Sequence, residues 1–490
     1  MKNVVLTEKQ QECVNFPTER DLLVTGVAGS GKSLVVVSRA VKMSKLAREN
    51  GVRLKIGIFA YANALIDYTK EILEFSGKES SEDIYVTTLD KEILQLYRKF
   101  FSTRGNFSKH LYSQKLHMDQ LNELVSRLPQ QTETTRQRIL SQERREWLMQ
   151  ELCWMKQHMF SDVEQYQECV RKGRGKIPLR REDRPFVFEI YKKYFFALAR
   201  AGIKTIDMVC EDLYKIRNDI PEESLFDVIL IDEAQDLALN KLLIARTLAK
   251  KSVTIAADFA QKIYTTGFTW REIGLDIKGR GSQKLKGTHR NTKQIALLAT
   301  SLQRHNTEEY EDGDITPLEV PDREGPLPRL IYSDSIYQQE VDVIEHIKRI
   351  QADSPNSTIG IFGRDAVCLD QIKVWLTTAN IPFETFVKNG DFKVLSPGIK
   401  LITYHSAKGL EFDQVLLPLL HNGNFPYTKD KKGKSDESFE DKMNNARNLL
   451  YVGMTRARQM LYMFTTDGLG AESSPLLEEL DTSMMKVVRP

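Results

Sequence analysis

Cysteine is scarce in this chain and carries no pattern. Cys13, Cys153, Cys169, Cys210 and Cys368 are scattered through 490 residues with no CxxC pair and no histidine at ligand spacing. That argues against a disulfide framework and a structural zinc module, and reads as five reduced thiols. No apolar run approaches the roughly 18 residues of a membrane-spanning helix, and the first ten residues, MKNVVLTEKQ, lack a secretory signal core. The expectation is a cytoplasmic chain with no membrane partner. A surplus of one charge is missing too: 70 basic against 67 acidic residues leave a net charge of +3. Composition therefore neither requires nor excludes a polyanionic ligand, and the distribution of charge has to decide.

What is present is length and pattern. A chain of 490 residues exceeds one compact core, so two to four domains are expected. Short apolar runs at 21–25, 55–60 and 226–231, each bounded by polar or glycine-containing turns, have the length of strands buried on both faces, which points to a parallel α/β sheet. Between 91 and 185 the pattern turns to long Gln-, Arg- and Leu-rich stretches with helical spacing, the mark of a helical insertion. That stretch holds 19 basic against 12 acidic residues, and Arg171, Lys172, Arg174, Lys176, Arg180, Arg181 and Arg184 concentrate its cations. A solvated face and a nucleic-acid contact both remain open there. A second α/β half follows a proline-rich acidic stretch at 312–328, with apolar runs at 357–362, 399–404, 414–420 and 460–464.

Two segments carry chemistry. Gly26-Val27-Ala28-Gly29-Ser30-Gly31-Lys32-Ser33 fits GxxxxGK[ST] between a strand and a helical stretch. Backbone N–H groups of such a loop converge on phosphate oxygens, Lys32 reaches the β- and γ-phosphates, and the Ser33 hydroxyl ligates Mg²⁺. Gly26, Gly29 and Gly31 are the expected cradle. Alone, this predicts only triphosphate binding. Asp232 and Glu233 end a second buried run, Val228-Ile229-Leu230-Ile231. Asp232 is expected to hold Mg²⁺ and Glu233 to deprotonate an attacking water, which a hydrolase needs and a kinase does not.

At Asp232-Glu233-Ala234-Gln235-Asp236 the chain resembles superfamily 1 helicases of the UvrD/Rep type, and seven segments match in family order. The resemblance implies two RecA-like motor domains with parallel sheets, an inserted helical subdomain, ATP with Mg²⁺, and single-stranded or tailed duplex DNA as partner, RNA not being excluded. Leu6–Gln11 resembles the adenine-reading segment, which implies ATP selection by Gln10. The segment 257–264 implies a γ-phosphate sensor at Gln261 and a base-stacking Tyr264, with Trp270 following. Leu285-Lys286-Gly287-Thr288-His289-Arg290-Asn291-Thr292 is similar to the family's L..NYRS, implying a γ-phosphate contact for Arg290. Thr403–Phe412 is close to T.H..KGLEF, implying nucleic-acid contacts at Thr403 and His405 and a ribose contact at Glu411. Arg447–Ala457 matches the last motif, which makes Arg456 the arginine finger.

Two departures stand out. The T-F-T-N-K-A segment reads Ala60-Tyr61-Ala62-Asn63-Ala64-Leu65, keeping Tyr61 and Asn63 as contacts but losing the lysine, and T-F-H reads Thr88-Leu89-Asp90. Only 38 residues separate Arg364 from Thr403, so the family's second helical insertion is expected to be absent or vestigial. The expected domains are 1–90 with 205–280 for the first motor, 91–204 for the insertion, 281–482 for the second motor, and a tail at 483–490. The expected activity is ATP-dependent translocation or unwinding, 3′ to 5′ on single-stranded DNA. The alternative is an ATP-dependent nucleic-acid sensor or regulatory subunit that controls a partner nuclease without processive unwinding.

Overall fold

The structure is a computed structural model. It describes residues 6–490 apart from 28, 61–62, 76–81, 102–113, 130–132, 172–177, 259–267, 269, 271, 276–280, 286, 288–290, 306–319, 386–392, 428–438 and 469–470.

The first sheet is built from β1 (Leu22–Gly26), β2 (Ile56–Ala60), β3 (Ile84–Thr88), β4 (Phe226–Asp232), β5 (Ala249–Ala257) and β6 (Ser282–Leu285), in the order β3-β2-β4-β5-β1-β6. Every pairing is parallel. Parallel neighbours need crossover connections, and helices supply them on both faces, which is why β1 and β2 are buried at every residue. Between β3 and β4 the chain leaves the sheet for helices at Gln114–Ser126, Arg145–Gln157 and Arg184–Arg200 with a core of their own around Trp147, Leu152, Tyr166, Val187 and Tyr194. These helices are a separately packed unit, whereas the helix Leu89–Phe101, most of which falls inside the 91–204 expected for the insertion, packs Ile93, Leu96 and Tyr97 into the core of the first sheet.

The second sheet contains β7 (Arg329–Ser333), β8 (Thr358–Gly363), β9 (Phe383–Thr385), β10 (Gly398–Thr403), β11 (Phe412–Leu417), β12 (Ala457–Thr466) and β13 (Lys486–Val488), in the order β13-β7-β12-β11-β8-β10-β9. Its pairings are also all parallel. Two α/β domains with parallel sheets are thus observed, as the RecA-like expectation required.

Two expectations need correction, and the basic run divides. The first sheet does not stop at 280, because β6 pairs with β1 through Leu23↔Ser282 to Gly26↔Leu285. Residues 483–490 are not a free tail, because β13 lies on the edge of the second sheet against β7. In the basic run, the Arg171 side chain is covered and bonds both carboxylate oxygens of Glu151, and Arg184 donates to the carbonyls of Tyr166, Gln167 and Cys169. Those two cations hold the insertion together and leave the exposed Arg180 and Arg181 to face solvent.

The two domains share one apolar core. Leu65, Tyr68 and Ile72 of the helix Asn63–Phe75 pack with Val394, Ala407 and Leu410 of the second domain. Gly409 makes this approach possible: at φ +80° a Cβ there would be strained, and it would stand 2.8 Å from Leu65 Cδ1. The Glu71 carboxylate accepts the backbone N–H groups of Val394 and Leu395 at 2.9 and 3.1 Å. Among the described residues no helix is long and apolar enough to cross a membrane.

Candidate active site

The glycine-rich loop sits where β1 hands over to the helix Lys32–Glu49. Gly31 is the N-cap at φ 83°, and no side chain caps that end, so its first N–H groups are left for an incoming acceptor. Gly29 shares the left-handed conformation, and Gly26 lies against Leu285. A Cβ on Gly31 would come within 2.4 Å of Gln10 Nε2. Gln10 is buried and both ends of its amide are used: Oε1 accepts the Thr7 N–H at 2.9 Å and Nε2 donates to the Ser30 carbonyl at 2.9 Å. Its observed role is to brace the loop, while adenine reading remains an expectation.

Lys32 is 6% exposed and donates to the Gly26 and Val27 carbonyls at 2.8 and 3.0 Å and to Asp258 at 3.3 Å. Burying an ammonium requires such partners, and this set keeps the cation folded over its own loop.

Asp232 and Glu233 end β4 beside it. The Asp232 carboxyl is pushed well above the ordinary range by burial and then by the Glu233 charge, against which the Ser33 hydroxyl and Lys32 pull down. Asp232 Oδ1 accepts the Glu233 N–H at 2.9 Å, but Oδ2 is buried with no hydrogen-bond partner. Glu233 adopts φ 54°, a left-handed conformation that costs a non-glycine residue about 1–2 kcal/mol. Burial raises its carboxyl, yet Lys408, Lys32, Arg456 and the Gln235 amide outweigh burial and hold it below the ordinary glutamate value.

Two of those cations come from the second domain. Lys408 is 3% exposed and reaches Asp236 Oδ2 at 2.5 Å and Glu233 Oε2 at 3.7 Å. Arg456 is 1% exposed, with its guanidinium bonded to the carbonyls of Val452 and Leu410 and to the Thr455 hydroxyl. Glu411 accepts the Tyr68 hydroxyl hydrogen at 2.9 Å, so it faces the first domain. Gln235 completes the centre: its Nε2 donates to Glu233 Oε2 at 2.5 Å and its Oε1 accepts the Asp258 N–H at 3.0 Å. The structure therefore brings together Lys32, Ser33, Asp232, Glu233 and Arg456. It adds Lys408, Gln235 and Asp258, which lie inside the recognised motifs but were given no role from sequence.

The nucleic-acid residues are placed less uniformly. Tyr61, Gln261, Tyr264 and Arg290 lie outside the described residues. Asn63 is exposed at the start of its helix. Trp270 packs edge-on against Phe268 at 5.5 Å on the first-domain core, which is a packing role. Thr403 closes a turn by accepting the Ser406 N–H at 3.2 Å, and His405 beside it is lowered by burial, Lys408 and Arg364. The departure at Thr88-Leu89-Asp90 has a physical reason: Asp90 pairs with Lys241 at 2.7 Å. Lys241 is raised to about 12 because Asp90 and Asp207 outweigh the burial that opposes them. Where the family pattern has histidine, this chain has an internal ion pair.

Comparison with known proteins agrees with this geometry. The family model for the UvrD/REP helicase N-terminal domain matches residues 6–272, more than half of the chain. The model for the UvrD-like helicase C-terminal domain matches residues 388–468. The probable DNA helicase II homolog of Rickettsia conorii is 42% identical over 65 residues, 13% of this chain and 9% of that protein. The ATP-dependent DNA helicase PcrA of Bacillus subtilis is 43% identical over 65 residues, 13% of this chain and 8% of its own. The aligned segments thus span less than a tenth of these relatives' length. A solved C-terminal domain of a possible DNA helicase from Lactobacillus plantarum aligns with 41% of this chain and 98% of its own, at 19% identity and a TM-score of 0.29, too slight a likeness to bear on the fold.

Proposed function

The chain belongs to the UvrD/REP helicase family, and from that premise we propose that it is an ATP-driven motor that moves along single-stranded DNA in the 3′ to 5′ direction. The observation that carries the proposal is the convergence on Glu233 of cations from both domains: Lys32 from one side, Lys408 and Arg456 from the other. A carboxylate held ionised in a buried site is suited to take a proton from a water attacking the γ-phosphorus. Its ionisation depends on the second domain staying docked, which links hydrolysis to domain position.

In this mechanism Lys32 exchanges the Gly26 and Val27 carbonyls for phosphate oxygens. Gln235 fixes the Glu233 carboxylate, and Arg456 turns from its own domain's carbonyls to the charge that builds on the transferring phosphoryl group. The orphaned Asp232 Oδ2, with the Ser33 hydroxyl next to that carboxyl, fits a Mg²⁺ ion, which keeps most of its waters and takes one or two protein oxygens. Such an ion would neutralise charge on the β- and γ-phosphates. Release of Lys408 and Arg456 after hydrolysis lets the domains part, and the strand advances across the surface of Asn63, Thr403 and His405.

The test is strand displacement by the purified chain from duplexes with 3′ or 5′ tails, in DNA and in RNA, alongside Lys32→Ala. Displacement of the 3′-tailed DNA duplex that Lys32→Ala abolishes is expected. ATP hydrolysis without displacement, restored by an added nuclease subunit, would replace this reading by a regulatory one.

A further inference from the structure

The backbone that carries Arg456 is held by a residue to which the family resemblance gives no role. Asn291 is 2% exposed and lies just before the helix Lys293–Gln303. Its Nδ2 donates to the Thr455 carbonyl at 3.1 Å and to the Ala457 carbonyl at 2.6 Å, the two residues that flank Arg456. The same short stretch is tied on a further side, where Phe412 N–H donates to the Arg456 carbonyl at 3.0 Å. Arg456 itself lies in the short turn between the helix Phe439–Met454 and β12, where the β11–β12 pairing begins at Phe412↔Ala457.

We propose that Asn291 is a positioning residue for Arg456, setting where the guanidinium stands when it meets the γ-phosphoryl group; the inference rests on the ATPase reading above. The chemistry is specific to asparagine. One NH₂ group offers two donors that diverge, so a single side chain can hold both carbonyls at once. The family pattern L..NYRS has serine at this place, whose hydroxyl has one donor and a shorter reach. The clamp is thus a feature of this chain. A closed buried turn alone would explain one bond, whereas two bonds astride the same arginine favour placement of that side chain.

The experiment compares Asn291→Ala, Asn291→Ser and Asn291→Asp with wild type in full-length protein. It measures ATPase kcat and KM, thermal midpoint, and affinity for ADP alone and for ADP with aluminium fluoride, a mimic of the transferring phosphoryl. A displacement of about 1 Å in a catalytic group can cost on the order of 10²-fold in rate. Asn291→Ala should lower kcat by roughly that factor, leave KM and ADP affinity within about twofold, and weaken the aluminium fluoride complex in step with kcat. Asn291→Ser should fall between, and Asn291→Asp, which sets a carboxylate against two carbonyls, should be the worst. Should Asn291→Ala fail to fold, Asn291→Ser decides alone. Wild-type kcat in the alanine and serine variants would overturn the proposal, as would parallel losses of kcat, ADP affinity and thermal midpoint, which mark a merely structural residue. A wild type whose ATPase is no higher than that of Lys32→Ala would instead sink the ATPase reading itself, and this inference with it.

Discussion

The two sheets share an architecture and differ in what their strand ends carry. In the first, β1 runs into a glycine loop whose uncapped helix end is left for an anion, and β4 ends in Asp232 and Glu233. In the second, β7 runs into a helix whose N-terminus is closed by its own Ser335, which accepts the Gln338 N–H at 3.1 Å. A sheet whose leading helix is already capped has no equivalent of that open helix end, and what its domain sends to Glu233 instead is the cations Lys408 and Arg456. Duplication of a fold has not duplicated a site: one copy holds carboxylates and a loop, the other the charges that face them. The sheets also differ in what they insert. The first carries the helical unit between β3 and β4, while the described chain between β8 and β10 holds only the helix Ala366–Thr378 and β9.

The sharpest way to break the asymmetry is at Arg456. Arg456→Lys keeps a charge but loses the planar fork, and should lower ATP turnover by about 10³-fold or more with ADP binding retained, measured by steady-state hydrolysis and nucleotide titration. Lys408→Met comes next. It removes the cation set between two buried carboxylates, so turnover should fall about 10²-fold and the thermal midpoint should drop, a partner lost from a buried pair costing ~3–5 kcal/mol. A variant with normal turnover would show that the two domains' charges are not coupled. Lys241→Met strikes the first domain alone. It should cost about 2 kcal/mol in urea denaturation, less than a fully buried pair because Asp90 is 30% exposed, and should spare turnover.

The smallest effect concerns the insertion. Burial raises Glu211, but Lys156 and Lys215 outweigh it and hold the carboxyl below its ordinary value. A depressed carboxyl stabilises the fold above the unfolded pKa, and that stability is lost as pH falls through the folded one. Lys156→Met should therefore shift acid unfolding to higher pH by a few tenths of a unit, worth about 1 kcal/mol at neutral pH, as followed by circular dichroism.

Sequence disclosed the ATP half best because its signals are local. A glycine loop between a strand and a helix, and two acids ending an apolar run, are contiguous, and the runs at 55–60 and 226–231 became β2 and β4 with little change. The edge strands were harder. Lys486–Val488 is exposed throughout and has no apolar run to betray it, and Ser282–Leu285 is a strand only because β1 offers it an edge. Pairings across the chain were invisible for the same reason: nothing local to Lys408 or Asp236 announces the other, and nothing local to Asp90 announces Lys241. Composition could not say which cations of the basic run are spent internally: Arg171 and Arg184 bond inside the insertion, while Arg180 and Arg181 stay exposed.

The central claim is hydrolysis by Glu233 under cations from both domains, and steady-state ATPase of wild type and Glu233→Gln, with and without single-stranded DNA, tests it most directly. DNA is expected to stimulate wild type, while the variant loses about 10³-fold in rate and still binds ATP. Glu233→Gln hydrolysing ATP at the wild-type rate would contradict it.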